Sequence, residues 1–157
     1  MGVAISIQRY LEDHNLPYDV LTHKLTSCAE ATARACSVPS EMLAKSVLVR
    51  RKEGFLLAIV PASADVRLNA LGRVIGEPVG LATEDEVAAI FSDCEPGAVP
   101  PLAEAYGLSA VVDKEFDGIS DVYFEGGDHR TLIHLSGPDF ESVTSGFAHA
   151  HISERRG

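Results

Sequence analysis

"KSVLVRRKEGFLLAIVP" (45–61) sets two apolar runs on either side of a short charged turn. The runs are "KSVLVRR" (45–51) and "FLLAIVP" (55–61), and Lys52-Glu53-Gly54 separates them. Runs of this length around a glycine-containing turn predict a β-hairpin. The second run is apolar almost throughout, which predicts a strand buried on both faces.

Outward from this hairpin, the pattern switches repeatedly between helix and strand periods. Val3, Ile7, Tyr10, Leu11 and His14 recur at helical spacing and predict an amphipathic helix ending before Pro17. "YDVLTH" (18–23) reads as a short strand. Ser27 and Glu30 form a capping box for a helix over Cys28 to Cys36, and Pro39 closes that region. Beyond the hairpin, "ADVRLNALGRVI" (64–75) places Val66, Leu68, Leu71 and Val74 or Ile75 at helical intervals, despite Gly72. Thr83 and Glu86 make a second capping box, for a helix near 84–91. "SAVVD" (109–113), "DVYFEG" (121–126) and "TLIHLS" (131–136) read as strands, with a turn at Gly126-Gly127-Asp128. Ser136 and Pro138 then start a helix near 138–145. The tail "AHAHISERRG" (148–157) is expected to fray. This is a mixed α/β (α+β) order with no regular βαβ series. A dinucleotide-binding fold is not indicated, because no GxGxxG follows a first strand.

At 157 residues, 46% hydrophobic and 23% charged, the chain is expected to form one domain with a proper core. No apolar run approaches the roughly 20 residues that span a bilayer. A charged helical pattern follows the N-terminus at once, so no secretory signal is expected. Three cysteines without a CxxC fit a reduced, cytoplasmic setting. The net charge of −10 argues against nonspecific nucleic-acid binding and against DNA as a partner. Between 45 and 73, however, Lys45, Arg50, Arg51, Lys52, Arg67 and Arg73 outnumber Glu53 and Asp65. That segment reads either as a local phosphate site or as a solvated strand edge.

"CEPGAVPPLAEAYGL" (94–108) is unusually constrained for a surface loop. Proline fixes φ and glycine permits positive φ or close approach. Such a loop can aim its remaining amides, those of Gly97, Ala98 and Val99, in set directions, or it can be a rigid connector. Cys94 beside it reads as a candidate nucleophile or as a small buried residue. Cys28 and Cys36 suit packing on one helix. His149-x-His151 is a pair without further ligands, so no metal site is expected. "GGDH" is too short for a phosphate loop, and no Walker sequence is present.

"LAKSVLV" (43–49), "CEPGAVPPLAEAYGL" (94–108) and "VYFEGGDHRTLIHLSGPDF" (122–140) together resemble the YbaK/ProX family of aminoacyl-tRNA deacylases, related to the editing domain of bacterial prolyl-tRNA synthetases. The resemblance runs from about residue 15 to 145. It implies a mixed, partly barrel-like sheet surrounded by helices, and hydrolysis of the ester joining a wrong amino acid to tRNA. It carries the family's strand lysine onto Lys45, its Gly-x-x-x-Pro loop onto Gly97 and Pro101, and a histidine of some members onto His129. Many relatives carry Asn where this chain has Glu125, and an acid there would either point away or alter the substrate.

The chemistry fits these residue types. Water attack on an activated ester makes an oxyanion that fixed peptide N–H groups stabilise. The Gly97 and Ala98 amides are expected to face the substrate, with Lys45 holding a phosphate or ribose oxygen and His129 orienting a hydroxyl or acting as base. Val99, Pro100, Pro101, Ser46 and Met42 are expected to contact substrate, and Met42, Leu43 and Ile59 read either as the wall of a size-selecting pocket or, the favoured role for each, as core packing. No strong general base is evident, so the substrate's own ribose hydroxyl is the expected activator of water. No cofactor is expected. The expected partner is the acceptor end of an aminoacyl-tRNA, with a synthetase as a second partner and no membrane. A catalytically silent module binding tRNA or a synthetase through the same cleft is the alternative.

Overall fold

The computed structural model describes residues 3–26 and 28–155. In chain order the elements are α1 (Ile5–Asp13), β1 (Asp19–Thr22), α2 (Ala29–Ala35), β2 (Leu43–Arg51), β3 (Gly54–Pro61), β4 (Ala64–Val66), α3 (Leu68–Ile75), β5 (Gly80–Leu81), α4 (Glu84–Ile90), β6 (Ser109–Asp113), β7 (Asp121–Glu125), β8 (Thr131–Ser136), α5 (Gly137–Thr144), β9 (Ala148–Ala150) and β10 (Ser153–Arg155). Short 3₁₀ turns cover Ala103–Tyr106 and Lys114–Phe116. The main sheet runs β1-β8-β7-β2-β3-β6-β9, with β5 also on β2. It is mixed: β2 and β3 are antiparallel, while β2–β7, β3–β6 and β6–β9 are parallel. This is the mixed α/β architecture that the hairpin and the alternating periods indicated.

The hairpin forms the centre, in the register Lys45↔Val60 to Arg51↔Gly54. Strand β3 feeds two cores because its side chains alternate between faces. Leu57 and Ile59 join Ile7, Leu11, Phe91, Phe124 and Phe140 on one face. Leu56, Ala58 and Val60 join Val49, Leu71 and Ile152 on the other. A third, smaller core under α2 contains Ala33, Val38, Leu43 and Leu132. Burying one such Leu or Ile side chain contributes roughly 1.5–3 kcal/mol, so this strand anchors the layers on both sides.

Local capping explains two helix starts. Thr83 accepts from the Glu86 amide, and Glu86 accepts from the Thr83 amide, so α4 begins on a complete capping box. Ser136 accepts from Asp139 at the start of α5. The capping box expected at Ser27 lies outside the described residues. At Gly137 an added Cβ would sit 1.6 Å from the Ile119 carbonyl oxygen, so only glycine permits the approach of α5 to the preceding loop.

Two expectations need correction. Residues 64–66 are not the start of a helix but strand β4, and the helix begins at Leu68. Nor does the described part of the tail, residues 148–155, fray, since β9 pairs with β6 and β10 pairs with β4. Ile152 between them is fully buried. The buried Asp113 carboxylate fixes this tail by accepting from the Ile152 amide at 3.1 Å and the Ser153 hydroxyl at 2.7 Å. Both corrections share a cause: β4 and β10 are partners from distant parts of the chain, so no local pattern reveals either.

The sheet contains a gap that matters below. On its outer side, β2 pairs with β7 only at Leu43 and Ala44, and with β5 only at Val49 and Arg50. The Ala82 amide takes the Leu48 carbonyl. Among the described residues, Lys45, Ser46 and Val47 have no strand register on that side.

Candidate active site

A cleft of about 490 Å³ opens at this gap. Strand β2 supplies Lys45, Ser46 and Leu48, helix α4 supplies Val87, and the loop after α4 supplies Gly97 and Val99. Phe91, at the end of α4, closes the apolar end and is itself buried. The cleft thus combines an apolar wall with a few polar groups, the usual make-up of a small-ligand site.

The loop that faces β2 is built around a type II β-turn, Glu95-Pro96-Gly97-Ala98. Proline occupies the second position and Gly97, at φ +81°, the third, as this turn type demands. The Ala98 amide closes the turn by donating to the Glu95 carbonyl at 3.0 Å. The expectation that this amide faces a substrate is therefore corrected: its hydrogen is used inside the turn. The Gly97 and Val99 amides donate to no acceptor among the described residues. The Glu95 amide donates to the Gly127 carbonyl at 2.7 Å and fixes the loop to the β7–β8 connection. Behind the turn, Ala98, Val99, Pro100 and Pro101 are buried, so the two prolines brace the loop from the inside and do not line the cleft.

His129 stands behind this turn. It has a left-handed backbone, φ +60°, and its Nε2 is hydrogen-bonded to the Pro96 carbonyl. Because that carbonyl only accepts, Nε2 carries the proton. The ring lies so close that a Cβ on Gly97 would meet His129 Cε1 at 3.2 Å. His129 does not line the cleft that contains Lys45. The structure thus places it as a brace of the turn and not as a base within the cleft, since its Nε2 is already committed.

Lys45 reaches from β2 to the Ala64 carbonyl at 2.6 Å and lies 3.8 Å from Asp65, with its side chain 21% exposed. Ser46, the next residue of the strand, projects from the opposite face, and its buried hydroxyl has no hydrogen-bond partner among the described residues. The basic segment around Lys45 is largely neutralised by tertiary contacts. Arg50 pairs with Glu86 at 2.5 Å and Arg51 with Glu77 at 3.1 Å. Hydrogen bonds from Lys52, first of all, and from Arg51 hold the Glu77 carboxyl below its usual range. Thr83 and then Arg50 do the same for Glu86.

Of the two roles open to Met42, Leu43 and Ile59, the structure shows the favoured one, core packing. Leu43 and Ile59 are fully buried in separate cores, and Met42 packs beside Leu43. None of the three lines the cleft. Leu48, Val87, Phe91 and Val99 take that place. The Thr83–Glu86 box marks where α4 begins, but nothing local shows that α4 would pack against β2.

Cys94 also lines the cleft. Burial pushes its thiol up to about 11, so it is protonated near neutral pH and does not supply a thiolate. Its neighbour Asp93 accepts from the Tyr106 hydroxyl at 2.8 Å and the Ser6 amide at 2.9 Å, a structural network behind the loop. Glu125 points away from the cleft and is only 7% exposed. Burial raises its carboxyl, partly offset by Thr32, His23 and His129. Elsewhere, Asp113, Glu115 and His151 bring ligand atoms within 4.8 Å of one another. The Asp113 oxygens already accept from Glu115, Ile152 and Ser153, which accounts for that cluster as a fastening of the tail.

Comparison with known proteins completes the description. The sequence profile of the aminoacyl-tRNA editing domain matches residues 23–143. No curated protein matches the chain. Among solved structures, the hypothetical protein APE2540 superposes with a TM-score of 0.84 at 24% identity, covering 95% of this chain and 99% of its own. A candidate trans-editing enzyme for prolyl tRNA synthetase superposes at 0.80 and 24% identity, covering 97% and 96%. A candidate signal transduction protein from Marinobacter aquaeolei VT8 superposes at 0.77 and 21% identity over 97% of this chain but 31% of its own. At these identities the superpositions establish a shared fold. The match to the profile covers most of the sequence and includes β2, the turn at Gly97 and the β7–β8 connection: the chain belongs to the aminoacyl-tRNA editing domain family.

Proposed function

We propose that the protein is a trans-acting aminoacyl-tRNA deacylase, which hydrolyses the ester of a small amino acid wrongly attached to tRNA. One observation carries this reading. Lys45 and the Gly97–Val99 loop, 52 residues apart from Lys45 to Gly97, line one cleft, and the Gly97 and Val99 amides find no acceptor among the described residues.

In this reading the ester carbonyl enters over the turn. Water adds to its carbon, the C=O electrons move onto oxygen, and the Gly97 and Val99 N–H groups stabilise that oxyanion. Collapse breaks the bond to the ribose oxygen, which leaves with a proton. Fixed donors of this kind contribute about 2.7–4 kcal/mol each in a well-studied protease. A ribose hydroxyl next to the ester accepts the proton of the attacking water as it passes its own proton to the departing ribose oxygen, since His129 Nε2 is held by Pro96. Lys45 keeps its bond to Ala64 and turns its remaining donors from Asp65 to a phosphate or ribose oxygen of the terminal nucleotide. Ser46 and the apolar wall formed by Leu48, Val87, Phe91 and Val99 surround the aminoacyl group.

Such an enzyme has a physical rationale. A synthetase pocket separates amino acids differing by one methylene by only about 1–3 kcal/mol, so a second, size-selective hydrolysis is needed. Assay of a panel of charged tRNAs, with Lys45→Ala as control, tests the proposal. Turnover of at least one mischarged ester, lost in the variant, supports it. No turnover on any ester, with tRNA still bound, would instead favour a silent binding module.

A further inference from the structure

A second cavity, of about 320 Å³, adjoins the cleft across Glu95, which lines both. Its other walls are Leu25, Asp128, His129 and Arg130. Two of these are already engaged. The Asp128 carboxylate accepts from the Arg130 amide at 3.0 Å and the Thr131 hydroxyl at 3.1 Å, and His129 Nε2 bonds the Pro96 carbonyl. What the cavity offers a ligand is therefore the exposed Arg130 guanidinium, the exposed Glu95 carboxylate and Leu25, which is 62% exposed.

Arg130 differs from the cations of β2. Arg50 and Arg51 are each matched by a carboxylate, whereas the Arg130 guanidinium has no ion pair or hydrogen bond among the described residues. A backbone bond from His23 to the Arg130 carbonyl, 2.8 Å, brings the exposed Lys24 alongside. In a protein of net charge −10, this corner sets two cations, Arg130 and Lys24, beside the cleft, with the Glu95 and Asp128 carboxylates on the same cavity. Arginine suits phosphate oxygens, an exposed apolar side chain suits a base face, and a carboxylate suits an exocyclic amine.

We propose that this cavity seats the nucleotide immediately 5′ to the esterified one, with Arg130 on its phosphate, Leu25 against its base and Glu95 accepting from the base's exocyclic amine. The inference rests on the deacylase reading for its substrate. It adds to it the direction of the chain: the strand leaves the cleft over the Pro96–Gly97 turn toward Arg130, not along the acid-matched arginines of β2.

The test compares a mischarged tRNA with the same amino acid esterified to adenosine alone, which lacks the 5′ nucleotide. For Arg130→Ala we expect KM on the tRNA to rise roughly tenfold and the slope of log affinity against log salt to fall by about 0.7, as for one single-strand phosphate contact. Hydrolysis of the aminoacyl-adenosine should stay at the wild-type rate, and Arg130→Lys should recover part of the loss. Equal losses on both substrates, or no loss on tRNA, overturn the nucleotide seat while leaving the deacylase intact. If the wild type hydrolyses no ester, filter binding of uncharged tRNA decides. A weakened, less salt-sensitive Arg130→Ala complex supports the seat although the deacylase reading fails, and unchanged binding overturns the seat as well.

Discussion

Arg50 and Arg51, at one end of β2, each meet a carboxylate brought in by another element. At the other end the same strand loses its outer neighbour, and the Ser46 hydroxyl is buried next to the cleft without a partner among the described residues. Across the cleft, the Gly97 and Val99 amides likewise find no acceptor among the described residues. The two ends arise from one apolar strand with similar residues. They differ in what the rest of the chain does beside them. Where β5 and α4 arrive, polar groups are satisfied and the strand is scaffold. Where β7 departs, polar groups are left over, and unsatisfied groups near a cavity are what a ligand completes.

The sharpest way to break this comparison is Gly97→Ala. An alanine at φ +81° is strained, and its Cβ would press on the His129 ring at 3.2 Å. We expect deacylation to fall by about 100-fold or more, in line with the loss of an aligned oxyanion donor, while circular dichroism stays native. Wild-type turnover in this variant would sink the assignment of the turn. Lys45→Ala comes next, with an expected drop in kcat/KM of roughly 10–100-fold, the range for a lost hydrogen bond from a charged group. Lys45→Arg should not restore it, because a planar fork does not replace a point charge that also fits the Ala64 carbonyl.

Glu125→Gln tests the side of the sheet away from the cleft. Burial raises the folded-state carboxyl above its ordinary value of 4.5, so the native chain holds a proton that the unfolded chain releases. Stability therefore falls as pH rises from that value through the raised one, and the full cost remains above it. Gln carries no charge to bury. Its melting temperature should exceed that of the wild type at about pH 8, and the gain should vanish near about pH 4 in thermal scans. A variant less stable than wild type at every pH would contradict this account. The smallest effects are expected at the matched end. Arg50→Ala and Arg51→Ala should leave deacylation within about twofold and shift the melting temperature by no more than about 2 °C, because ion pairs that are still partly exposed to solvent add little. Losses comparable to those of Lys45→Ala would erase the distinction between the two ends of β2.

Much of this arrangement is visible before folding. The hairpin, the capping box at Thr83, the start at Ser136 and the Pro-Gly-containing loop all follow from residues close together in sequence. Lys45 and Gly97 stand out through the motif they share with a known family. The pocket wall is not readable in the same way: Met42, Leu43 and Ile59 look as apolar as Leu48, Phe91 and Val99, and only packing separates those that fill a core from those that face a cleft. His129 looks like a base until the Pro96 carbonyl is found on its Nε2. The segment 45–73 looks like a phosphate site until Glu77 and Glu86 are found on Arg51 and Arg50.

From sequence alone follow the strands of the hairpin, the capped helices and a stiffened loop around Gly97, because backbone dihedrals and caps are governed by neighbours within about four residues. The tertiary structure alone decided that β4 pairs with β10, that β2 is left bare between β7 and β5, and which cations meet acids. Those outcomes depend on contacts between segments tens of residues apart. Their loop closure and shared burial are settled by the packing of the whole chain, and no local run of residues carries that information.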